Sequence, residues 1–144
     1  MPERGAAACV FCSVIAGDVP AHWVLETETV VAFLDHRPLF EGHALVMPRA
    51  HVATLRDLDA PLRDDLFAQT QAVAAAVQDA TGAQGSFVAM NNVVSQSVPH
   101  LHVHAVPRTK GDGLRGFFWP RRRYESEDAA EAVAASIRGL LALQ

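Results

Sequence analysis

Residues 100–106 read His-Leu-His-Val-His-Ala-Val, three imidazoles separated by single apolar residues in a run otherwise typical of β-strand. A strand repeats every two residues, so His100, His102 and His104 share one face, while Leu101, Val103 and Ala105 point the other way, into a core. Each imidazole can donate, accept or ligate near pH 7. Three of the seven histidines of the chain fall in this stretch. A solvated edge strand would account for one histidine, not for an alternation of three. The two cysteines form a second group, Cys9-Val10-Phe11-Cys12. That spacing lets one turn present two thiolates to a single zinc ion, which still needs two more ligands. A thioredoxin-like role would require a βαβ context around the pair, which the pattern does not supply.

The elements that must position these groups follow from periodicity and punctuation. Short alternating or β-branched runs at His22–Leu25, Thr29–Leu34, Ala44–Met47, Ser86–Met90 and His100–Val106 are bounded by Gly, Pro, Asp or Asn and read as five strands. Between the third and fourth, Leu58, Leu62, Leu66, Thr70, Val73, Val77 and Ala80 recur at helical spacing. Asp57 or Asp59 is available as cap, Pro61 lies in the first turn and Gly82 follows the end. A short helix is expected over Val10–Ala16. A last one should start after Ser126, with Ala130, Val133, Ile137, Leu140 and Leu141 turned inward. Hairpins come first and one long helix interrupts them, so the expected fold class is α+β with a five-stranded antiparallel sheet. No repeat, low-complexity tract or linker divides the chain, and residues 1–144 read as one domain.

Composition narrows the function. Half the residues are hydrophobic and 19% are charged, which excludes a disordered or fibrous chain. The formal net charge of −4 leaves no overall positive field to hold duplex nucleic acid or an anionic membrane, so any phosphate must be gripped locally. No run approaches the ~20 apolar residues of a membrane helix. The stretch Gly5–Gly17 has the length of a signal-peptide core, but Cys9 and Cys12 interrupt it. Two closely spaced cysteines suit a reducing compartment, and the cytoplasm is the expected location.

The motif His-φ-His-φ-His-φ-φ, with φ apolar, is the hallmark of the histidine-triad (HIT) nucleotide-binding family, which this chain resembles from His100 to Val106. The resemblance extends through Cys9-Val10-Phe11-Cys12, Ala16-Gly17-Asp18, Val31-Ala32-Phe33-Leu34-Asp35, Gly42-His43-Ala44-Leu45-Val46-Met47-Pro48-Arg49-Ala50-His51 and Gln96-Ser97-Val98. It covers about residues 9–113, and residues 114–144 lie where members diverge.

The resemblance implies a HIT-like fold and nucleophilic catalysis at the α-phosphate of a nucleoside phosphate derivative. His102 would be the nucleophile through a phosphohistidine-type intermediate, with nucleoside monophosphate released. His104 would bond the transferring phosphoryl oxygens, with Ser97 and Asn91 as further donors and Gln96 as a nucleotide contact. Asp35 would accept the ribose hydroxyls, although a carboxylate before His36-Arg37-Pro38 could equally serve a turn. Phe11, Ile15, Phe33 and Leu34 would line a slot that stacks a purine without reading it closely. In a bacterial subgroup, His51 and His100 join Cys9 and Cys12 in a Cys2His2 zinc site, a closed and therefore structural shell. A homodimer, pairing two small sheets through the long helix and an edge strand, is also implied.

The family turn Asn-Gly-x-x-Ala-Gly-Gln is replaced here by Asn91-Asn92-Val93-Val94-Ser95-Gln96, shorter and without glycine, which puts its backbone donors in question. Asn91 and Asn92 compete for the polar position. Downstream, Phe117, Phe118, Trp119 and Arg121-Arg122-Arg123 could meet distant phosphates or form a solvated loop near a dimer edge. The substrates expected are a dinucleoside polyphosphate or a nucleoside phosphoramidate. The rival is a nucleotide-sensing or protein-interaction module of the same fold with little turnover; nucleotidylyl transfer between sugar phosphates is a third reading.

Overall fold

A computed structural model describes residues 8–114 and 121–143. The aromatic stretch 117–119 therefore lies outside the described residues. What is described groups into two compact units, divided between Asp112 and Gly113.

The first unit runs α1 (Val10–Ile15), β1 (Trp23–Glu26), β2 (Val30–Leu34), β3 (Ala44–Pro48), a 3-10 turn (Leu55–Asp57), α2 (Ala60–Thr81), β4 (Gly85–Ala89) and β5 (Val103–Arg108). The five strands form one sheet in the order β1-β2-β3-β5-β4, and each pairing is antiparallel. The expected α+β class and strand count hold. Strand ends move by a residue or two, except in the histidine run, where β5 begins at Val103 and not at His100. The cause lies in its neighbour. β3 pairs with β5 only from Ala44↔Ala105 to Val46↔Val103 and ends at Pro48, which has no N–H to extend a ladder. Ahead of β5 the chain is tied instead by the Leu101 N–H donating to the Val52 carbonyl at 2.7 Å.

Alternation survives this change and sorts the two faces. Leu101, Val103 and Ala105 pack with Val30, Ala32, Ala44 and Val46 against Leu66, Val73 and Val77 of α2. The other face buries Val31, Phe33, Leu45 and Met47 under Cys9, Phe11 and Val14 from the α1 end. The three histidines share this second face, where His100 and His102 are buried.

α2 forms where its caps allow. Asp59 is the N-cap, accepting from the Leu62 N–H at 2.9 Å, and Gly82 closes the helix in the left-handed region at φ 70°. Asp57 instead accepts from Thr54 at the preceding turn. Leu66, Thr70, Val73 and Val77 are buried as spacing predicts, but Ala80 is exposed. Gly42 opens β3 with φ +97°, and a Cβ there would lie 2.6 Å from the Thr81 Cγ2 of α2. Only glycine satisfies both the backbone and the contact.

The second unit contains α3 (Glu127–Leu141), capped by Ser126, whose Oγ accepts from the Ala129 N–H at 3.0 Å. The expectation that Ala130, Val133, Ile137, Leu140 and Leu141 turn inward is not met. Among the described residues no α3 residue is buried, and Leu140 is 67% exposed. No helix among the described residues is long and apolar enough to cross a membrane.

Candidate active site

Beside the histidine face opens a cavity of about 540 Å³. It is lined by Val10, Phe11 and Val14 of α1 and by Phe33, Leu34, Asp35 and His36 at the end of β2. Ser97, Val98, His102 and His104 close one end, and the 19–22 loop and Leu45 complete the lining. Phe11 meets Phe33 edge-to-face at 5.7 Å, so the aromatic walls are braced by each other.

Hydrogen bonds assign the tautomers of the histidines. A carbonyl can only accept, so the 2.8 Å contact from His102 Nδ1 to the His100 carbonyl places the proton on Nδ1. The His102 Nε2 therefore carries a lone pair. By the same logic the His100 Nε2–H donates to the Pro48 carbonyl at 2.8 Å, leaving a lone pair on Nδ1.

His43, to which the sequence pattern assigns no role, completes a third relation. The Leu39 N–H donates to the His43 Nδ1 at 3.1 Å, so the His43 proton sits on Nε2, 2.9 Å from the His104 Nδ1. His104 then keeps its own proton on Nε2. Its ring is thus committed as a donor on the side away from His43. The available signal for His43 was its place one residue before β3: the pairing of Leu45 with His104 brings the two imidazoles side by side.

Burial holds these rings neutral. His43, His100 and His102 all have pKa values lowered chiefly by desolvation. For His104 burial is again the largest cause, reinforced by repulsion from His102 and His43 and opposed by Asp35, and the result is about 4. The 3.7 Å approach of His43 Nε2 to the Asp35 Oδ2 is therefore no ion pair at neutral pH. Asp35 also accepts from the Arg37 N–H at 2.9 Å, so it serves the turn while its partly exposed carboxylate reaches the cavity.

Cys9, Cys12, His51 and His100 converge behind the cavity, with one possible ligand atom from each within 4.8 Å of the others. The Cys12 Sγ lies 3.4 Å from the His51 Nδ1 and 3.5 Å from the His100 Nδ1, and the Cys9 Sγ is 3.5 Å from the same His100 nitrogen. Zinc–sulfur and zinc–nitrogen bonds of about 2.3 and 2.0 Å at tetrahedral angles separate sulfur and nitrogen by about 3.5 Å. The donor set and its spacing fit zinc, and the His100 lone pair faces the sulfurs while its other nitrogen is held by Pro48. Burial, then the neighbouring Cys9 thiol, pushes Cys12 up to about 11, so a nearby cation is what would hold the Cys12 sulfur as a thiolate.

Three expected contacts are not brought to the cavity. Ile15 packs against the apolar cluster behind the wall. The Asn91 amide donates to the Ser95 carbonyl at 3.2 Å. Gln96 spans two chain segments, donating to the Ala53 carbonyl at 2.7 Å and accepting from the Val93 N–H at 3.1 Å. These bonds, with the Leu55 N–H on the Asn92 Oδ1 at 2.7 Å, hold a glycine-free loop in which Val93 and Ser95 adopt φ of 69° and 61°. The left-handed positions of a glycine turn are thus reached by other residues, at about 1–3 kcal/mol of strain each.

Comparison with known proteins identifies the family. Residues 16–111 match the HIT domain. The chain is 34% identical over 136 residues to adenosine 5'-monophosphoramidase hnt1 of Schizosaccharomyces pombe, spanning 91% of this chain and 99% of that protein. The crystal structure of a HIT-family member from Bacillus subtilis superposes with a TM-score of 0.84 at 32% identity, covering 92% of this chain and 96% of the other. A Zn-bound histidine triad family protein from Mycobacterium smegmatis superposes at 0.71 and 33% identity, covering 97% and 100%. The protein belongs to the HIT family.

Proposed function

We propose that the protein is a hydrolase acting at the α-phosphate of a purine nucleoside phosphoramidate or dinucleoside polyphosphate, releasing the nucleoside monophosphate. The observation that carries this reading is the bond from His102 Nδ1–H to the His100 carbonyl, which leaves a neutral, unprotonated Nε2 at the cavity. In the first step Nε2 donates its electron pair to phosphorus, forming a phosphorus–nitrogen bond, while the leaving group departs with the electron pair of its own bond to phosphorus and, where it is an amine, takes up a proton from solvent. In the second, water attacks phosphorus, the histidine leaves with the phosphorus–nitrogen bonding pair as neutral imidazole, and the attacking water gives up one proton to solvent. The His104 Nε2–H and the Ser97 hydroxyl bond the phosphoryl oxygens as charge builds. Asp35 accepts from the ribose hydroxyls, and the base lies against the surface made by Phe11, Phe33 and Leu34, with Ile15 backing the slot. Asn91 and Gln96 act through the 91–96 loop, by holding Ser97 in place.

Cys9, Cys12, His51 and His100 would hold a structural zinc. When bound, it supplies folding energy and keeps both thiolates ionised, and it activates no water. Phe67 on α2 and Val88 on the edge strand β4 are 44% and 45% exposed, which supports a homodimer formed through these elements. Paired thiols kept reduced for a metal agree with a cytoplasmic location.

Incubation with adenosine 5'-phosphoramidate and with diadenosine polyphosphates tests the function. Steady AMP release at many turnovers per chain is expected. Tight AMP binding without release would replace the hydrolase with a nucleotide sensor.

A further inference from the structure

The metal cluster and the nucleotide cleft share one six-residue helix. Cys9 caps α1, its Sγ accepting from the Cys12 N–H at 3.4 Å, and Cys12 lies in the first turn. Between them Phe11 projects its ring into the histidine face. It stands edge-to-face to His102 at 5.0 Å and 82°, to Phe33 at 5.7 Å and to His100 at 6.0 Å. Val10, Phe11 and Val14 all line the cavity. An isolated helix needs about 12–15 residues to persist in water, so α1 stays in place by what its side chains grip. Those grips are one apolar cluster and the two sulfurs.

We propose that Phe11 is a positioning residue that couples metal binding at Cys9, Cys12, His51 and His100 to nucleotide binding in the cleft. With the four ligands joined, α1 is pinned, and the Phe11 ring is fixed edge-to-face against the imidazole of His102 and against Phe33. A base then stacks in a slot that is already formed. With the ligands unjoined, apolar contacts alone hold α1, and part of the nucleotide's interaction energy goes into ordering the wall. Coupling of this kind is reciprocal, so nucleotide must tighten metal binding by the factor with which metal tightens nucleotide.

The inference rests on reading the four-residue cluster as a zinc site, and calorimetry with AMP and competition with a chromophoric chelator separate the two claims. On the whole chain loaded with zinc, AMP should bind about fivefold or more tightly than on the same chain stripped of it. Saturating AMP should raise zinc affinity by the same factor. Phe11→Leu keeps apolar bulk but loses the ring. It should still bind one zinc per chain, with the AMP effect on zinc affinity reduced to less than about twofold. A purely structural Phe11 would weaken AMP equally in both metal states and leave the factor unchanged, overturning the proposal. An effect of AMP on zinc below twofold in the parent chain overturns it while leaving the zinc site standing. Failure to take up zinc at all overturns both.

Discussion

The ring nitrogen Nδ1 of His102 lies 2.8 Å from the backbone carbonyl oxygen of His100, whose own side chain faces the two cysteine sulfurs. One residue thus serves the metal cluster with its ring and the nucleophile with its main chain. The carbonyl is available because residues 100–102 precede the β5 ladder, where it would otherwise be paired across strands.

Replacing His102 with Asn removes the attacking nitrogen and leaves the ribose and base contacts in place. Turnover should fall on the order of 10³-fold or more. AMP affinity should stay near that of the parent in a binding titration. A variant that keeps a tenth of parental kcat would take His102 out of the nucleophile role.

His43→Phe removes the donor to His104 while filling the buried space. The His104 ring is then free to present either nitrogen to the phosphoryl group, and kcat should drop roughly 10²-fold with KM little changed. Equal kinetics for parent and variant would show that the His43 bond does not govern His104.

Asp35→Ala should weaken ribonucleotides by roughly 1–3 kcal/mol, the scale of lost hydrogen bonds to a charged group. Deoxynucleotides should suffer less, and comparing the two series of Kd values decides the point. Equal losses would assign Asp35 to the turn at Arg37.

Acid should destabilise the fold through His104. Its folded pKa of about 4 lies below the ordinary histidine value near 6.5, so the unfolded chain takes up the proton first. The contribution is present above about pH 6.5 and is lost as pH falls through 4. Denaturant melts between pH 7 and 4 should show this slope, and His104→Asn should flatten it. An unchanged slope in the variant would place the acid sensitivity elsewhere.

Val93→Gly should stabilise the protein by about 1 kcal/mol, because a β-branched residue at φ 69° is strained and glycine is not. The gain is net of the greater backbone entropy that glycine loses on folding. A fall in thermal midpoint would mean that the four bonds around the loop offset the strain completely.

How far the chain could be read in advance depended on how local each determinant is. The alternation at 100–106 and the 59–82 helix with its caps are written in consecutive residues, and both hold. His43 was silent because its meaning comes from a strand register that brings Leu45 opposite His104, a relation between segments 59 residues apart in that pairing. The loop at 91–96 misleads for the opposite reason. It has no glycine, its left-handed positions fall on Val93 and Ser95 and not on its asparagines, and the bonds from Asn91, Asn92 and Gln96 hold that backbone anyway. The apolar stripe of α3 predicts a burial that the described residues do not provide.

The division of the sheet into a core face and a chemical face limits how this gene segment can change length. Deleting one residue between Pro99 and Val103 would invert the facing of the residues ahead of the deletion relative to β5, so that imidazoles and apolar side chains on its two sides no longer share their faces. Losses or gains in pairs would preserve the alternation. Evolution along this strand should therefore proceed by substitution or by two-residue steps, since an odd change in length forfeits fold and chemistry together.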